Sequence, residues 1–166
     1  MDNYEFSNRI LELESSMYRI AKSILSRDAD CGDAMQNAIL QAYQHLPQLK
    51  EKESFRTWLF RILVNECYQL LRSRKRTEER QEVLEQAEGI GQPEREHVEY
   101  SELYLAIAEL EEGYRVPFVM FYVEGFSIKE IGKILHLSET AVKTRLHRGR
   151  QALRKKLKGV YGYYDK

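Results

Sequence analysis

An all-α fold of two small helical domains joined by a flexible linker, the second containing a helix-turn-helix, is predicted by three observations. Apolar residues recur at three- and four-residue intervals over most of the chain, the spacing that gives a helix one buried face. Residues 73–96, SRKRTEERQEVLEQAEGIGQPERE, break that rhythm with a basic run, an acidic stretch, Gly89, Gly91 and Pro93, and offer few apolar side chains to bury. Phe126 to Lys158, FSIKEIGKILHLSETAVKTRLHRGRQALRKKLK, reads as two helices across a tight turn, with most of the charge on the second. The predicted division is a first domain over 1–72, a linker over 73–96, a second domain over 97–158 and a tail over 159–166.

Taken in order, Phe6, Ile10, Leu13, Met17, Ile20, Ala21 and Ile24 predict an amphipathic helix from about Tyr4 to Ser26. Asp28 to Gly32 interrupts the pattern, and a second helix from about Cys31 to Leu46 should bury Met35, Ala38, Ile39, Ala42 and Leu46. Its opposite face carries Asp33, Gln36, Asn37, Leu40 and Gln44, and a leucine inside a polar stripe can mark a docking surface or simply be exposed. Pro47 stops this helix, and Ser54 is placed to cap a third running to about Arg72 over a core side of Leu59, Ile62, Leu63, Cys67 and Leu70. Trp58, Arg61, Asn65, Tyr68 and Arg72 share its other side. Aromatic rings that can stack on bases beside cations that can follow a backbone suit single-stranded nucleic acid; ordinary helix packing by Trp58 is the plainer explanation.

Beyond the linker, Leu103, Ile107 and Leu110 predict a short helix broken at Gly113, and Pro117 fits the first turn of another reaching about Glu124. Ser127 with Glu130 three residues on forms a capping-box signature ahead of Ile128, Ile131 and Leu135. Ser138 offers the next N-cap, followed by Val142, Leu146, Leu153 and Leu157 at helical spacing, while Gly149 leaves room for a close approach. Between Glu139 and Lys158 eight basic residues face a single acid, which makes phosphate the natural counterpart. A recognition helix puts its N-terminal exposed residues at base edges in the major groove, here Glu139, Thr140, Lys143, Thr144, His147 and Arg148, with the later cations nearer the phosphates.

Several functions are not supported by the residues. Formal charge is zero overall but segregated, so local fields matter more than the total. The longest apolar run, Val116 to Val123, falls far short of a membrane span, and MDNYEFSNRI has no signal-peptide pattern; a cytoplasmic protein without membrane insertion of its own is expected. Cys31 and Cys67 lack a CxxC partner and read as free structural thiols. His45, His97, His136 and His147 are scattered with no nucleophile or metal-ligand spacing, so neither enzyme, cofactor nor metal site is expected.

The run LAIAELEEGYRVPFVMFYVEGFSIKEIGKILHLSETAVKTRLHRGRQALRKKL resembles region 4 of the sigma-70 family of RNA polymerase sigma factors, in its short extracytoplasmic function (ECF) group. DAMQNAILQAYQHL and SFRTWLFRILVNECYQLLR resemble its region 2, in the family's order. The resemblance implies that Asp33, Gln36, Asn37 and Leu40 dock on core RNA polymerase and that the recognition helix reads the −35 promoter element as duplex. It further implies that Lys50, Lys52, Ser54, Phe55, Trp58, Arg61 and Asn65 capture the melted, single-stranded −10 element, and that an anti-sigma factor is a partner. Three positions depart from the family pattern. Asn37 stands where an acid is usual, shifting the expected contact towards hydrogen bonding and Leu40; Glu111 replaces a common proline, leaving Gly113 to supply flexibility; and His136 occupies the turn's usual glycine. That turn needs a left-handed residue, so positive φ is expected at His136. A self-sufficient repressor or activator binding operator DNA without polymerase is the alternative, although the linker shows no sustained heptad for dimerisation.

Overall fold

The computed structural model describes residues 1–82 and 102–161, and every regular element among them is helical. Helix α1 spans Asn3–Ile24, α2 Asp28–His45 and α3 Phe55–Glu82; α4 spans Glu102–Ala108, α5 Glu112–Phe118, α6 Ile128–Leu135 and α7 Glu139–Tyr161. Single 3₁₀ turns at Leu46–Gln48 and Lys52–Ser54 join α2 to α3, and one wide turn, Val119–Val123, continues α5. Asp2 starts α1 by accepting the Glu5 amide at 2.8 Å.

Four boundaries differ from the sequence expectation. Helix α2 begins at Asp28, because Asp28 and Asp30 lie in its first turn, where acids suit the positive end of the helix. Helix α3 continues ten residues past Arg72 to Glu82, so the first part of the segment read as linker is helical; residues 83–96 lie outside the described residues. Arg74 pairs with the buried Asp30 and Arg27 lies 4.0 Å from Glu78, tying the extension to the start of α2. Gly113 sits inside α5 behind the N-cap Glu111 and supplies no hinge.

Pro117, too, lies one turn deeper than expected. It cannot donate to the Gly113 carbonyl four residues back, and Arg145 Nη1 donates to that oxygen instead, at 3.4 Å. A bend normally left unsatisfied is thus tied to α7. Gly149 behaves as its position suggested, with Phe118 and Tyr114 of α5 pressed against it so closely that an added methyl would stand 3.4 Å from the Phe118 ring. The expectation about the later tail falls on 162–166, outside the described residues.

The two helical units do not sit apart. Met17, Ile20, Leu59, Phe60 and Leu63 belong to the same buried cluster as Val116, Met120, Phe126, Ile131, Ile134 and Leu146, so α1 and α3 share a core with α5 to α7. Phe60 meets Phe126 edge-on at 5.1 Å. Polar contacts ring this seam: Arg115 Nε donates to the Ser23 carbonyl at 2.7 Å and its Nη1 to that of Leu110 at 2.8 Å, while Thr57 Oγ1 donates to Glu130 Oε1 at 3.3 Å. Arg19 forms an ion pair with Glu124, whose side chain is 3% exposed, and Arg56 donates to the Glu124 carbonyl at 2.6 Å while lying 3.8 Å from the centre of the Phe126 ring.

Candidate nucleic-acid interface

The turn between α6 and α7 is built by side chains close in sequence. Ser127 Oγ accepts the Glu130 amide at 3.1 Å, and Glu130 Oε2 accepts the Ser127 amide at 2.8 Å, closing the capping box. At the other end His136 has φ 56° and ψ 44°, the left-handed geometry expected for it, and its amide donates to the Gly132 carbonyl. Ser138 Oγ accepts the Ala141 amide at 3.1 Å, starting α7.

Because histidine tolerates this region less freely than glycine, His136→Gly should stabilise the protein by up to about 1 kcal/mol, whereas His136→Val should destabilise it. Thermal unfolding of the three proteins checks this. Equal midpoints would show that the turn stores no strain.

Ile131, Ile134, Val142, Leu146 and Leu153 are buried, and this anchoring leaves Glu139, Thr140, Lys143, Thr144, His147 and Arg148 exposed on one side of α7. The cations of α7 divide further. Arg145 is half-buried on α5, Arg150 donates to the Tyr122 hydroxyl at 2.9 Å, and Lys156 pairs with Glu109 at 3.2 Å. Lys143, Arg148, Arg154, Lys155 and Lys158 have no ion-pair partner among the described residues.

In the first unit Lys50, Lys52, Ser54, Arg61 and Asn65 are exposed and Trp58 is half-buried. Phe55 differs from the expectation. It is 1% exposed, wedged between Phe6 at 5.9 Å and Trp58 at 6.0 Å, because the first turn of α3 packs on α1. It cannot stack on a base and instead backs Trp58. Lys52 donates to Glu5 at 2.9 Å and its carbonyl accepts from Arg9, which pins the loop before α3 to α1. The Lys52 hydrogen bond holds the Glu5 carboxyl below its ordinary value despite some burial. Ser54 Oγ donates back to the Glu51 carbonyl at 2.8 Å. Tyr68, on the same stripe, is half-buried; burial first, then the neighbouring Glu112, raises its phenol pKa, and it faces the second unit.

Asp33, Gln36, Asn37 and Leu40 all lie exposed along α2. Leu40 is 56% exposed and borders a shallow groove between α1 and α2 with Asn3, Phe6, Ile39 and Tyr43, so the open leucine belongs to a wider apolar surface that its sequence position alone did not reveal. The thiols of Cys31 and Cys67 are fully enclosed, and burial pushes them up to about 11 and about 12, which keeps them protonated and inert. No cluster of His, Cys, Asp or Glu able to hold a metal occurs among the described residues, and no helix among them is long and apolar enough to cross a membrane.

Comparison with known proteins agrees with this arrangement. Sigma-70 region 2 matches residues 10–77 and sigma-70 region 4 matches residues 100–153, together most of the chain. The chain belongs to the sigma-70 family, in its ECF group. It is 28% identical to the ECF RNA polymerase sigma factor SigW of Bacillus subtilis, over 96% of this chain and 92% of that one. It is 26% identical to the RNA polymerase sigma factor SigV of the same organism, over 87% and 86%. Two solved structures share the fold: the sigma factor RpoE from Bartonella quintana, in complex with the anti-sigma factor NepR, with a TM-score of 0.76 and 22% identity over 98% of this chain and 99% of that one, and CnrH, in complex with the cytosolic domain of CnrY, with a TM-score of 0.69 and 24% identity over 95% and 90%. Helices α1 to α3 therefore carry region 2 and α4 to α7 carry region 4.

The residues that sequence reasoning missed are those of the seam, Arg19, Arg56, Thr57, Arg115 and Glu124. Their partners lie 68 to 105 residues away, apart from the local bonds of Arg115, and no periodicity or motif marks them.

Proposed function

We propose that this sigma factor binds core RNA polymerase through the α2 face of Asp33, Gln36, Asn37 and Leu40, reads the −35 element as duplex through α7, and captures the unpaired −10 element at the start of α3. The observation that carries the proposal is the pairing of two unlike surfaces in one chain: a capped helix-turn-helix with exposed Lys143 and Arg148, and a stripe of Trp58, Arg61 and Asn65 suited to extruded bases. Base capture favours opening because it offsets the few kcal/mol of unstacking. The protein acts in the cytoplasm, with the polymerase. An anti-sigma factor that covers these surfaces is the expected regulator; RpoE, which shares the fold, was captured with the anti-sigma factor NepR, and CnrH with the cytosolic domain of CnrY.

Transcription from a selected promoter by purified core polymerase, with and without this protein, tests the whole reading. Promoter-specific transcripts should require the protein, and the protein alone should bind duplex promoter weakly, since the polymerase scaffold lowers the cost of ordering two reading surfaces. Tight, sequence-specific binding by the free protein as a dimer on a palindrome would replace this reading with that of a self-sufficient regulator.

Single substitutions separate the two surfaces. Arg148→Ala or Lys143→Ala should weaken recruitment of holoenzyme to duplex promoter by about 1–3 kcal/mol per lost base contact and reduce its salt dependence. Asn65→Ala should leave recruitment intact and lower the permanganate reactivity of unpaired thymines. Asn65 is exposed, so its loss leaves the core undisturbed. If Asn65→Ala abolished recruitment as fully as Arg148→Ala, or left permanganate reactivity unchanged, the division between the surfaces would fail.

A further inference from the structure

Arg145 stands in the middle of α7 yet points away from its reading face. On a helix of 3.6 residues per turn it falls about 160° from Lys143 and from His147, so it cannot join them at base edges. It is half-buried against α5, where Nη1 reaches the Gly113 carbonyl at 3.4 Å and stands 3.5 Å from where a Gly113 β-carbon would be. That carbonyl is open because Pro117, four residues on, has no amide to give it. The bond therefore joins two helices at an acceptor that the α5 sequence itself creates.

The rest of α7's seating leaves a task for such a bond. Val142, Leu146 and Leu153 are buried and Gly149 lies against Phe118 and Tyr114, contacts that fix how deeply the helix sits. Apolar packing is non-directional, so it resists a roll of the helix about its own axis less than a hydrogen bond does. Among the described residues three side chains of α7 make polar ties to other elements. Arg150 to Tyr122 and Lys156 to Glu109 lie further along, and Arg145 is nearest to the reading end. A roll of about 20° moves a side-chain tip ~6 Å from the axis by about 2 Å, enough to break a base contact.

We propose that Arg145 is a positioning residue for −35 recognition: by donating to the carbonyl that Pro117 leaves open, it sets the roll of α7 and so the aim of Lys143 and His147. The assignment rests on the −35 reading above and adds a residue which that reading leaves out. Arg145 touches no DNA. A cation in a recognition helix is ordinarily assigned to phosphate, and the two roles leave different signatures. A lost phosphate contact weakens binding to every sequence and lowers the salt slope by about one, whereas a mis-aimed helix loses discrimination between sequences.

The test compares Arg145→Met, Arg145→Lys and Arg145→Met with Pro117→Ala. Methionine keeps much of the stem without a donor, lysine keeps a donor, and Pro117→Ala returns to α5 an amide for its own carbonyl. Thermal midpoints are measured on the free protein. Holoenzyme binding is measured against salt on two duplex promoters, one with the −35 element selected by wild-type holoenzyme and one with that element scrambled. Arg145→Met should lower the ratio of the two affinities about fivefold, with binding to the scrambled promoter and the salt slope unchanged. Its thermal midpoint should also fall, because the Gly113 carbonyl loses its donor. Adding Pro117→Ala should restore the midpoint and leave the ratio low, since α5 is then satisfied while α7 remains untethered. Arg145→Lys should recover most of the ratio. If Pro117→Ala restores discrimination together with stability, Arg145 acts only by completing α5 and the positioning role is overturned. An unchanged ratio overturns it as well, and a slope lowered by about one replaces it with a direct phosphate contact. If Arg148→Ala also leaves the ratio unchanged, the −35 reading itself fails; if Arg148→Ala lowers it and Arg145→Met does not, only the positioning role is lost.

Discussion

Gly132→Ala is expected to unfold the helix-turn-helix at temperatures where the wild-type protein is intact. A methyl at residue 132 would stand 2.7 Å from the Leu137 carbonyl oxygen, inside van der Waals contact, and the obstacle is backbone that no rotamer change can move. The same turn already uses the Gly132 carbonyl as acceptor for the His136 amide and, at 2.9 Å, for the Leu137 amide. Shifting Leu137 to make room therefore strains both bonds and moves the start of α7. Alanine's better helix propensity returns about 1 kcal/mol, against an overpacking cost of about 3 kcal/mol or more. The net loss should lower the thermal midpoint by roughly 5–10 °C and weaken binding to −35 duplex in the same variant. A midpoint within a degree or two of wild type would show that the turn relaxes freely, and the close approach would lose its significance.

Arg19→Ala combined with Arg56→Ala is expected to separate region 4 from region 2 while leaving both folded. Glu124 is buried at the seam, and these two arginines supply its charged partner and the donor to its carbonyl. Removing both leaves an uncompensated carboxylate, a situation that costs about 3–5 kcal/mol in a buried site; the lower end applies because Arg19 is 48% exposed. Parting the two units hydrates Glu124 at the expense of the apolar core they share, in which Phe60 meets Phe126, whereas unfolding either unit would expose still more apolar surface. Small-angle scattering should record a larger radius of gyration with unchanged helical circular dichroism. A compact variant would show that the apolar core alone holds the units together.

The same seam responds to pH. Burial raises the Glu124 carboxyl, but hydrogen bonds from Arg19 and Ser16 and the charges of Arg19 and Arg56 outweigh it, leaving its pKa below the ordinary 4.5. A carboxylate depressed in the joined state stabilises that state at pH values above 4.5. That contribution disappears as pH falls through the lower value, so acid should loosen the wild-type seam and have less effect on the double variant.

Much of the candidate DNA-reading surface was legible because it is assembled from near neighbours. The Ser127 and Glu130 capping box, the left-handed His136 and the Ser138 cap each join residues no more than a few positions apart, and helical periodicity then determines that Lys143 and Arg148 face outward while Val142 and Leu146 face in. Phe55 was misplaced for the complementary reason. Its position before a cationic, aromatic helix suits base stacking, and only the approach of Phe6 from α1 makes it core. Pro117 likewise looked like a helix start, since nothing nearby in sequence shows that Arg145 will supply the missing donor.

By itself, then, the sequence determined most of the helices, their caps, the helix-turn-helix and the residue types along each exposed stripe, all products of contacts within about a turn. Tertiary structure decided the rest: that α3 runs on to Glu82 under the hold of Asp30 on Arg74, that Phe55 is enclosed, and that Glu124 is buried against Arg19 from the other unit. The physical reason is distance along the chain. Local hydrogen bonds and side-chain periodicity are written in adjacent residues, whereas an ion pair 105 residues apart exists only once two independently patterned surfaces have packed together.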